Sequence, residues 1–362
     1  MIGYTYAGYP AWLWLRSRLR PRPVKSAPIL PTITVVMVVR NEAAVLEAKL
    51  QNILSLDYPE TLLNVAVVSD GSTDATNDIL RKHEGPRVKI ELRSESRGKA
   101  AGLNDAVALA TGEVVLFTDV RQKIESGAPR VLAAQFADRD VGCASGELML
   151  GDPDSGEVVR GMGLYWRIEK NIREMESMCG SVVGATGALY AARRNLLVNV
   201  PAGTILDDVY IPMHIVRQGF RVTFVPSAHA WDLADQGSDR EFSRKVRTLT
   251  GNYQLVQLAP WLIGPGNPLW FEFVSHKLLR LFAPFALLLA LIAAGLIPQP
   301  LYRIALALQI AFYALSVIAM TRLLKGPLAR FADAARTFVV LNSAAVVAFF
   351  KFVTGSRVVW AR

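Results

Sequence analysis

The sequence predicts an α/β fold: a mostly parallel sheet with covering helices, followed by C-terminal transmembrane helices. Between residues 32 and 117, short β-branched runs alternate with segments whose apolar residues recur at helical spacing. Polar or charged residues directly follow several of these runs. After residue 273 the chain becomes strongly apolar, in stretches long enough to cross a bilayer.

The net charge of +9 is distributed unevenly along the 362 residues. Residues 1–25 carry five basic and no acidic residues, and residues 273–362 carry ten basic residues and one acidic residue. The middle, residues 26–272, holds the other 25 basic and 30 acidic residues. Basic residues therefore flank the apolar segments, as they do beside a membrane. The acidic middle argues against a nucleic-acid partner.

The N-terminal segment is apolar and aromatic from residue 2 to 15 and basic from Arg16 to Lys25. At 14 residues the apolar part is short for a membrane span. It is either the end of a transmembrane helix or an interfacial anchor. A signal peptide is disfavoured because the charge follows the apolar run, where it should precede it. Residues 1–25 are therefore interpreted as a partial transmembrane or interfacial anchor.

Four strands and three helices are expected in the region that follows. The alternation of the two predicts parallel strands with helices packed on the sheet. Gly112 is expected to end the third helix in the left-handed conformation. The predicted strands are 32–39, 64–69, 87–93 and 113–117, and the predicted helices are 43–53, 75–82 and 100–110.

Polar residues mark the carboxyl ends of three of these strands: Arg40–Asn41–Glu42, Asp70 and Asp119. Ligands of open α/β sheets bind at this edge. Arg97 and Lys99 flank a glycine and suit a diphosphate. Asp70 and Asp119 suit a ribose, a base edge or a metal ion. No GxGxxG or Walker motif is present, so hydride transfer and P-loop chemistry lose support.

The order of these motifs resembles the inverting, GT-A fold glycosyltransferases of family 2. More narrowly, it resembles the membrane-integrated branch of cellulose, chitin, hyaluronan and poly-N-acetylglucosamine synthases. The resemblance rests on strand–RNE–helix, strand–DGSTD–helix, RGKAAGLN–helix and strand–TD, and covers residues 31–253. It implies a GT-A domain over residues 26–253 and a nucleotide diphosphate sugar donor. The residues that it assigns to the donor are Glu42, Asp70, Lys99, Asp119, Arg121 and Arg247.

Two motifs in the second half of this domain extend the resemblance. The small-residue loop GATGA, residues 184–188, would lie beside the acceptor sugar, although a plain turn before a strand is the competing interpretation. Leu206–Asp207–Asp208 resembles the family's Thr-Glu-Asp motif, which makes Asp208 the general base. Asp207 would cap the following helix. The residues assigned to the acceptor are Gly184, Thr186, Gly187 and Asp207.

The sequence departs from the family pattern at two places. The metal motif Asp-x-Asp reads Asp119-Val120-Arg121, so an expected Mg²⁺ or Mn²⁺ ion keeps Asp119 but loses a second carboxylate. Arg121 either neutralises the diphosphate or is a surface residue. In the Gln-x-x-Arg-Trp motif only Arg247 matches, because Arg244 and Thr248 replace glutamine and tryptophan. Processive synthesis therefore loses support, whereas transfer of a single sugar does not.

The C-terminal part is expected to associate with a membrane. Residues 254–273 suit an interfacial segment, and residues 274–362 a transmembrane region of two to three helices. The expected spans are 274–297, 301–320 and a shorter one at 338–353, with a basic amphipathic linker at 322–336. The basic flanks place the catalytic part in the cytoplasm, on a multi-pass protein of the inner or plasma membrane.

The sequence thus predicts a membrane-bound inverting glycosyltransferase acting on a lipid-linked or polysaccharide acceptor in cell-surface or exopolysaccharide synthesis. Its partners would be membrane lipids and polysaccharide-export subunits. The alternative is a non-catalytic, membrane-anchored subunit that binds nucleotide sugars. The basic residue at Arg121 favours that alternative, because it removes a metal ligand.

Overall fold

The computed structural model describes residues 1–152, 157–158, 164–232, 238–321 and 324–355. Within these residues nine strands form one sheet system. The strands are β1 (Ile33–Val39), β2 (Leu63–Asp70), β3 (Val88–Arg93), β4 (Val114–Phe117), β5 (Lys123–Ile124), β6 (Val141–Asp152), β7 (Glu157–Val158), β8 (Tyr190–Arg193) and β9 (Arg221–Asp232).

Twelve α-helices occur in the described part of the chain, joined by short π and 3₁₀ turns. They are α1 (Tyr9–Leu19), α2 (Ala43–Leu54), α3 (Thr76–His83), α4 (Lys99–Leu109), α5 (Ala128–Gln135), α6 (Leu164–Cys179), α7 (Asp207–Arg217), α8 (Ser238–Leu258), α9 (Trp270–Glu272), α10 (Leu279–Leu296), α11 (Pro300–Ile318) and α12 (Gly326–Val353). Helix α8 crosses the domain boundary predicted at residue 253. Arg322, where the predicted basic linker begins, lies outside the described residues.

The sheet confirms the parallel arrangement expected for the first half of the chain. Strand β1 pairs in parallel with β2 and β4, and β2 pairs in parallel with β3. The second half adds β8, which runs antiparallel to both β4 and β6, and β9, which runs parallel to β6. Strands β1, β2 and β4 therefore present their carboxyl ends at one edge of the sheet, as the sequence predicted.

Helices cover both faces of the sheet, so the central strand β1 is buried along its whole length. Val36 and Val38 pack with Leu103 of α4 on one face. Val35 and Met37 pack with α2 on the other face. Alternate side chains of a strand point to opposite faces, and each face here is covered by its own apolar helix surface. The continuous apolar sequence of β1 follows from this double burial.

The prediction that Gly112 caps a helix in the left-handed conformation is wrong. Helix α4 ends at Leu109, and its C-cap Ala110 is already extended, with φ −71° and ψ 132°. Gly112 is instead needed because backbone approaches it closely. A Cβ there would lie 2.7 Å from the Thr34 nitrogen and 2.8 Å from the Ile33 carbonyl carbon. The Gly112 N–H also donates to Thr34 Oγ1 at 2.9 Å, which joins the start of β4 to β1.

Three helices in the described residues are long and apolar enough to cross a membrane: Trp270–Leu296, Pro300–Thr321 and Gly326–Val353. The third is longer than the predicted span at 338–353, because the segment expected as an amphipathic linker continues into it as one helix. The apolar sides of α10, α11 and α12 leave many large side chains exposed, among them Leu289, Leu308 and Phe350. Such exposure suits contact with lipid and not with water.

The N-terminal helix packs onto both the sheet domain and the first membrane helix. Tyr9 and Leu13 of α1 are fully buried against α6. The Tyr9 hydroxyl donates to Glu176 Oε1 at 2.6 Å, and Arg16 pairs with Glu272 at 2.6 Å. The predicted anchor therefore has specific protein contacts in addition to its apolar character.

We expect Gly112→Ala to destabilise the protein, because the atoms that a Cβ would meet are backbone and cannot move aside. The expected loss is about 1–3 kcal/mol, the usual cost of overpacking. Thermal unfolding in detergent, followed by tryptophan fluorescence, measures it as a lower Tm.

Gly127→Ala is the matched control, since Gly127 has φ −80° and a Cβ there meets nothing within 4 Å. Equal Tm values for the two variants would show that the approach of β1 does not require glycine at 112.

Candidate active site

A lysine joins three elements at the carboxyl edge of the sheet. Lys99 is the first residue of α4 and follows Gly98, whose φ of +89° turns the chain into the helix. Its Nζ lies 3.0 Å from Asp119 Oδ1, just beyond β4, and 3.4 Å from Asp207 Oδ1, at the start of α7. The structure thus brings together Lys99, Asp119, Asp207 and the adjacent Asp208, which the sequence places as many as 109 positions apart.

The charged groups of this cluster shift one another's pKa values. Burial alone would lower the pKa of the Lys99 ammonium, but Asp119, Asp207 and Asp208 outweigh burial and raise it above its usual value. Burial, together with the charge of Asp207, raises the pKa of Asp208 to about 6, although Lys99 opposes the rise. A carboxylate with a pKa near 6 is deprotonated at neutral pH yet accepts a proton more readily than an exposed aspartate.

The small-residue loop at 184–187 packs directly on the start of α7. Gly187 N–H donates to Asp208 Oδ2 at 3.1 Å, and Ala185 N–H donates to the Asp208 carbonyl at 2.7 Å. Gly184 has φ +96°, and a Cβ there would lie 2.9 Å from Val209 Cγ2. A Cβ at Gly187 would lie 3.1 Å from Asp208 Oδ2. The small residues are therefore required by contact with Asp208 and Val209, whatever the acceptor.

The carboxylate of Asp70 accepts hydrogen bonds from neighbouring residues of the protein. Its carboxylate is fully buried and accepts hydrogen bonds from Ser96 Oγ at 2.7 Å and from the Arg97 and Gly98 N–H groups at 2.8 and 2.9 Å. Arg93 adds a contact at 3.3 Å. Burial would raise the pKa of Asp70, but these donors outweigh it and hold the pKa below its usual value. Asp70 thus fixes the turn that leads to Lys99, and direct contact with a nucleotide stays a prediction.

Hydrogen bonds join the turn after β1 to the turn after β2, and the sequence did not predict them. Asn41 adopts a left-handed conformation, with φ 53°, and its Oδ1 accepts from the Thr73 N–H at 2.8 Å. Asp74 Oδ2 accepts from the Ala43 N–H at 3.2 Å, and Thr76 Oγ1 accepts from the Glu42 N–H at 2.9 Å. The predicted motifs RNE and DGSTD therefore form one interlocked rim beside the cluster.

Arg121, at the expected second metal position, pairs with Glu42. Its Nη2 lies 2.9 Å from Glu42 Oε1, and its Nε lies 3.2 and 3.3 Å from the two carboxylate oxygens. Half of the Arg121 side chain is exposed. Glu42 and Arg121, which were both assigned to the donor, are thus paired with each other at the rim of the site.

Lys49 is a site residue that the sequence analysis missed. It lies on α2 beneath the Asp119 loop, is 97% buried, and donates to Thr118 Oγ1 at 2.9 Å and to the Gln122 carbonyl. Burial lowers its pKa to about 7, against the opposing charge of Asp119. A sequence signal existed, because residues 46, 49, 50 and 53 follow the spacing of a core-facing helix surface. Lys49 holds both flanks of the loop that carries Asp119.

Arg247 lies on α8 and is half-buried. It forms no ion pair with any carboxylate in the part of the chain that the structure describes. The structure therefore does not join Arg247 to the Lys99 cluster, and its predicted contact with the diphosphate stays a prediction.

The residues present supply one carboxylate for a divalent ion. Within the described ranges, no group of three or more His, Cys, Asp or Glu side chains could hold a metal. Asp119 is 43% exposed but already contacts Lys99. Mg²⁺ is commonly held by one or two carboxylates together with substrate phosphates. Asp119 therefore fits an ion that arrives with a diphosphate, and does not make a resident metal site.

Comparison with known proteins identifies this edge of the sheet. Residues 34–200 match the family model described as glycosyl transferase family 2. Residues 34–200 therefore resemble a family 2 glycosyltransferase domain. The matched range contains β1, β2, β4, Lys99, Asp119 and the loop at 184–187.

Curated relatives agree with the family assignment. Poly-β-1,6-N-acetyl-D-glucosamine synthase of Staphylococcus aureus is 23% identical over 253 residues, which cover 67% of this chain and 60% of the relative. The Staphylococcus epidermidis enzyme of the same name is 23% identical over 231 residues, covering 61% and 54%. The match spans less than two thirds of the length of these relatives.

A solved structure shows the fold. The mannosyltransferase PcManGT from Pyrobaculum calidifontis, in complex with GDP-mannose and Mn²⁺, superposes with a TM-score of 0.75 at 24% identity. The similarity covers 98% of this chain and 97% of that one, so it includes the C-terminal helices as well as the sheet. The predicted GT-A fold, followed by apolar helices, is confirmed.

Proposed function

We propose that this protein is a membrane-bound inverting glycosyltransferase that moves one sugar from a nucleotide diphosphate sugar to a lipid-linked or polysaccharide acceptor. The observation that carries the proposal is the position of Asp208. Its carboxylate contacts the small-residue loop at 3.1 Å, lies next to the Lys99 cluster, and has a pKa near 6. A base between a phosphate-binding lysine and a loop with little side-chain bulk suits sugar transfer.

Asp208 removes the proton from an acceptor hydroxyl as that oxygen bonds to the anomeric carbon of the donor sugar. The bond between this carbon and the diphosphate breaks, and the nucleoside diphosphate leaves with the bonding electrons. Attack from the face opposite the leaving group inverts the anomeric configuration. The proton rests on Asp208 until it passes to solvent.

The donor's diphosphate is held by cations at the sheet edge. Lys99 and Arg121 both have carboxylate partners in the present state, and a diphosphate would compete for the two cations. GDP-mannose in the structural relative and N-acetylglucosamine in the names of the curated relatives support this donor class. A divalent ion, bound by Asp119 together with the diphosphate, would neutralise charge on the leaving nucleotide.

The catalytic domain faces the cytoplasm in this proposal, and the three apolar helices hold it at the membrane. Basic residues Arg16–Lys25 and Lys277 lie at the ends of apolar segments on the side of the sheet domain, as the positive-inside rule requires. The names of the curated relatives extend the proposal to cell-surface or exopolysaccharide synthesis, with export subunits as partners. The non-catalytic subunit is the second candidate, favoured by Arg121 in place of a carboxylate.

Asp208→Asn is expected to reduce transfer by about 10²–10⁴-fold, the usual contribution of a general base, and to leave donor binding intact. Nucleotide release from a panel of nucleotide sugars, with purified protein in detergent, measures the first effect. Calorimetric titration with the nucleoside diphosphate measures the second.

Asp57→Asn serves as control, since Asp57 is exposed and pairs only with Arg130 among the described residues. Full activity of the Asp208→Asn variant would show that Asp208 is not the general base. No release by the unmodified protein with any donor, despite binding, would favour the non-catalytic subunit.

The pH dependence of kcat/KM is expected to show an acid limb centred at about pH 6, because transfer needs Asp208 deprotonated. Below that pH the rate falls about tenfold per unit as the carboxyl group takes up its proton. Asp207→Asn removes a charge that raises the pKa of Asp208, so the limb should move to lower pH. If the acid limb of the Asp207→Asn variant stayed at the same pH or moved to higher pH, Asp208 would not be the group that titrates.

Mn²⁺ is expected to bind only together with nucleotide, since Asp119 is the single carboxylate at the strand end. Electron paramagnetic resonance would show little loss of the free Mn²⁺ signal with protein alone. The loss with protein plus GDP or UDP would exceed that with nucleotide alone, and Asp119→Asn would abolish the excess. EDTA should stop transfer. Tight Mn²⁺ binding without nucleotide, or transfer that survives EDTA, would contradict this arrangement.

A further inference from the structure

A cavity of about 190 Å³ with several charged side chains in its wall lies between the sheet domain and the first membrane helix. It is bounded by α6, the small-residue loop, and the π-helical turn at Phe273–Leu278 that precedes α10. Its titratable lining consists of Glu147, Glu169, Lys170, Arg173, Glu176, His276 and Lys277. The cavity has room for several water molecules.

Each carboxylate of this cavity lies within ion-pair distance of a basic side chain. The pairs are Lys170 with Glu147 at 2.8 Å, Arg280 with Glu169 at 2.6 Å, and His276 with Glu176 at 2.7 Å and with Glu169 at 2.8 Å. Arg173 and Lys277 have no carboxylate within ion-pair distance among the described residues. These two cations therefore make no direct ion pair among the described residues, although Glu169 and Glu176 act on both of them through space.

Arg173 is held rigidly between the cavity and the acceptor loop. Its Nη1 donates to Thr186 Oγ1 at 2.7 Å and its Nη2 to Ser145 Oγ at 2.8 Å. Its guanidinium lies 4.3 Å from the Phe224 ring centroid. Both hydrogen bonds of its nitrogens go to neutral hydroxyls, so no carboxylate is bound directly to the guanidinium among the described residues, and an anion could bind it in two-pronged fashion.

The cavity adjoins the proposed base. Thr186, which accepts from Arg173, precedes Gly187, whose N–H contacts Asp208. Lys277 is near enough to contribute to lowering the pKa of Asp208, against the larger effects of burial and Asp207. An anion beside Arg173 and Lys277 would thus sit next to the place where the acceptor hydroxyl loses its proton.

We propose that this cavity binds the phosphate or diphosphate through which a membrane lipid carries the acceptor sugar. The inference rests on the proposed function and names its acceptor class. Lys277 belongs to the apolar segment Trp270–Leu296, near its start, which is where a lipid headgroup lies. The carboxylate of an acidic sugar has related chemistry, and the experiment below separates the two sources.

A second feature favours the lipid over a soluble glycan. Along the same helix bundle, an apolar groove of about 570 Å³ opens between the N-terminal turn and the membrane helices. Tyr6, Leu287, Leu308, Phe312 and Phe338 line it. The groove suits a prenyl or acyl chain. The phosphate takes no part in the chemistry; a hydroxyl of the lipid-borne sugar attacks the donor, and its proton goes to Asp208.

The test compares three acceptors that carry the same sugar: a prenyl diphosphate sugar, an alkyl glycoside without phosphate, and a soluble oligosaccharide that contains a uronic acid. Purified protein in detergent is assayed with the donor that supports nucleotide release. We expect the prenyl diphosphate sugar to be preferred over both others by at least tenfold in kcat/KM. Lys277→Ala should raise KM for it about tenfold or more, with KM for the donor unchanged, and Lys277→Arg should restore most of the loss.

Lys325→Ala is the matched control, because it removes an exposed lysine at the same end of the membrane helices, outside the cavity. Equal use of the alkyl glycoside, preference for the uronic acid, or an unchanged acceptor KM in Lys277→Ala would overturn the inference. Donor hydrolysis without acceptor would in each case show that the transferase itself is intact. Failure of both hydrolysis and transfer would instead count against the proposed function.

Discussion

The site depends on one ammonium group among three carboxylates, on a lysine side chain that is 20% exposed. Burying an unpaired charge costs several kcal/mol, so Lys99 and the buried Asp207 stabilise each other in this position. The ion pairs of Lys99 with Asp119 and Asp207 join the start of α4, the end of β4 and the start of α7. The small-residue loop then follows, because it hydrogen-bonds to Asp208. A single side chain, Lys99, thus holds α4, β4 and α7 in register.

This arrangement also sets the chemical state of the base. Asp207 and burial push the pKa of Asp208 up, and Lys99 pulls it down. A diphosphate that draws Lys99 towards itself would weaken this opposing effect, so Asp208 would become more basic when donor is bound. In the proposed function, donor binding and activation of Asp208 as the base would therefore be linked through Lys99. Lys49 supports the same geometry from below, since it fixes the loop on both sides of Asp119.

Much of the site could be predicted from sequence, because parallel strands present their carboxyl ends at one edge. From that rule, Asp119 and Lys99 are expected at the same edge of the sheet. It could not show that the Asp70 carboxylate is saturated by Ser96, Arg97 and Gly98, since those contacts depend on the path of a loop. Gly112 was misread for the same reason. Its constraint comes from Thr34, 78 positions away, and not from its own helix.

The contact between the sheet domain and the membrane helices is polar and buried, which constrains how the enzyme can move. His276 lies between Glu169 and Glu176, Tyr9 donates to Glu176, and Arg280 pairs with Glu169. Removing one partner from such a network leaves another charge buried without compensation, at a cost of a few kcal/mol. Tilting of the domain away from the bilayer would break several of these contacts at once. The sheet domain is therefore held at a fixed depth beside the membrane helices, which suits the proposed lipid-borne acceptor.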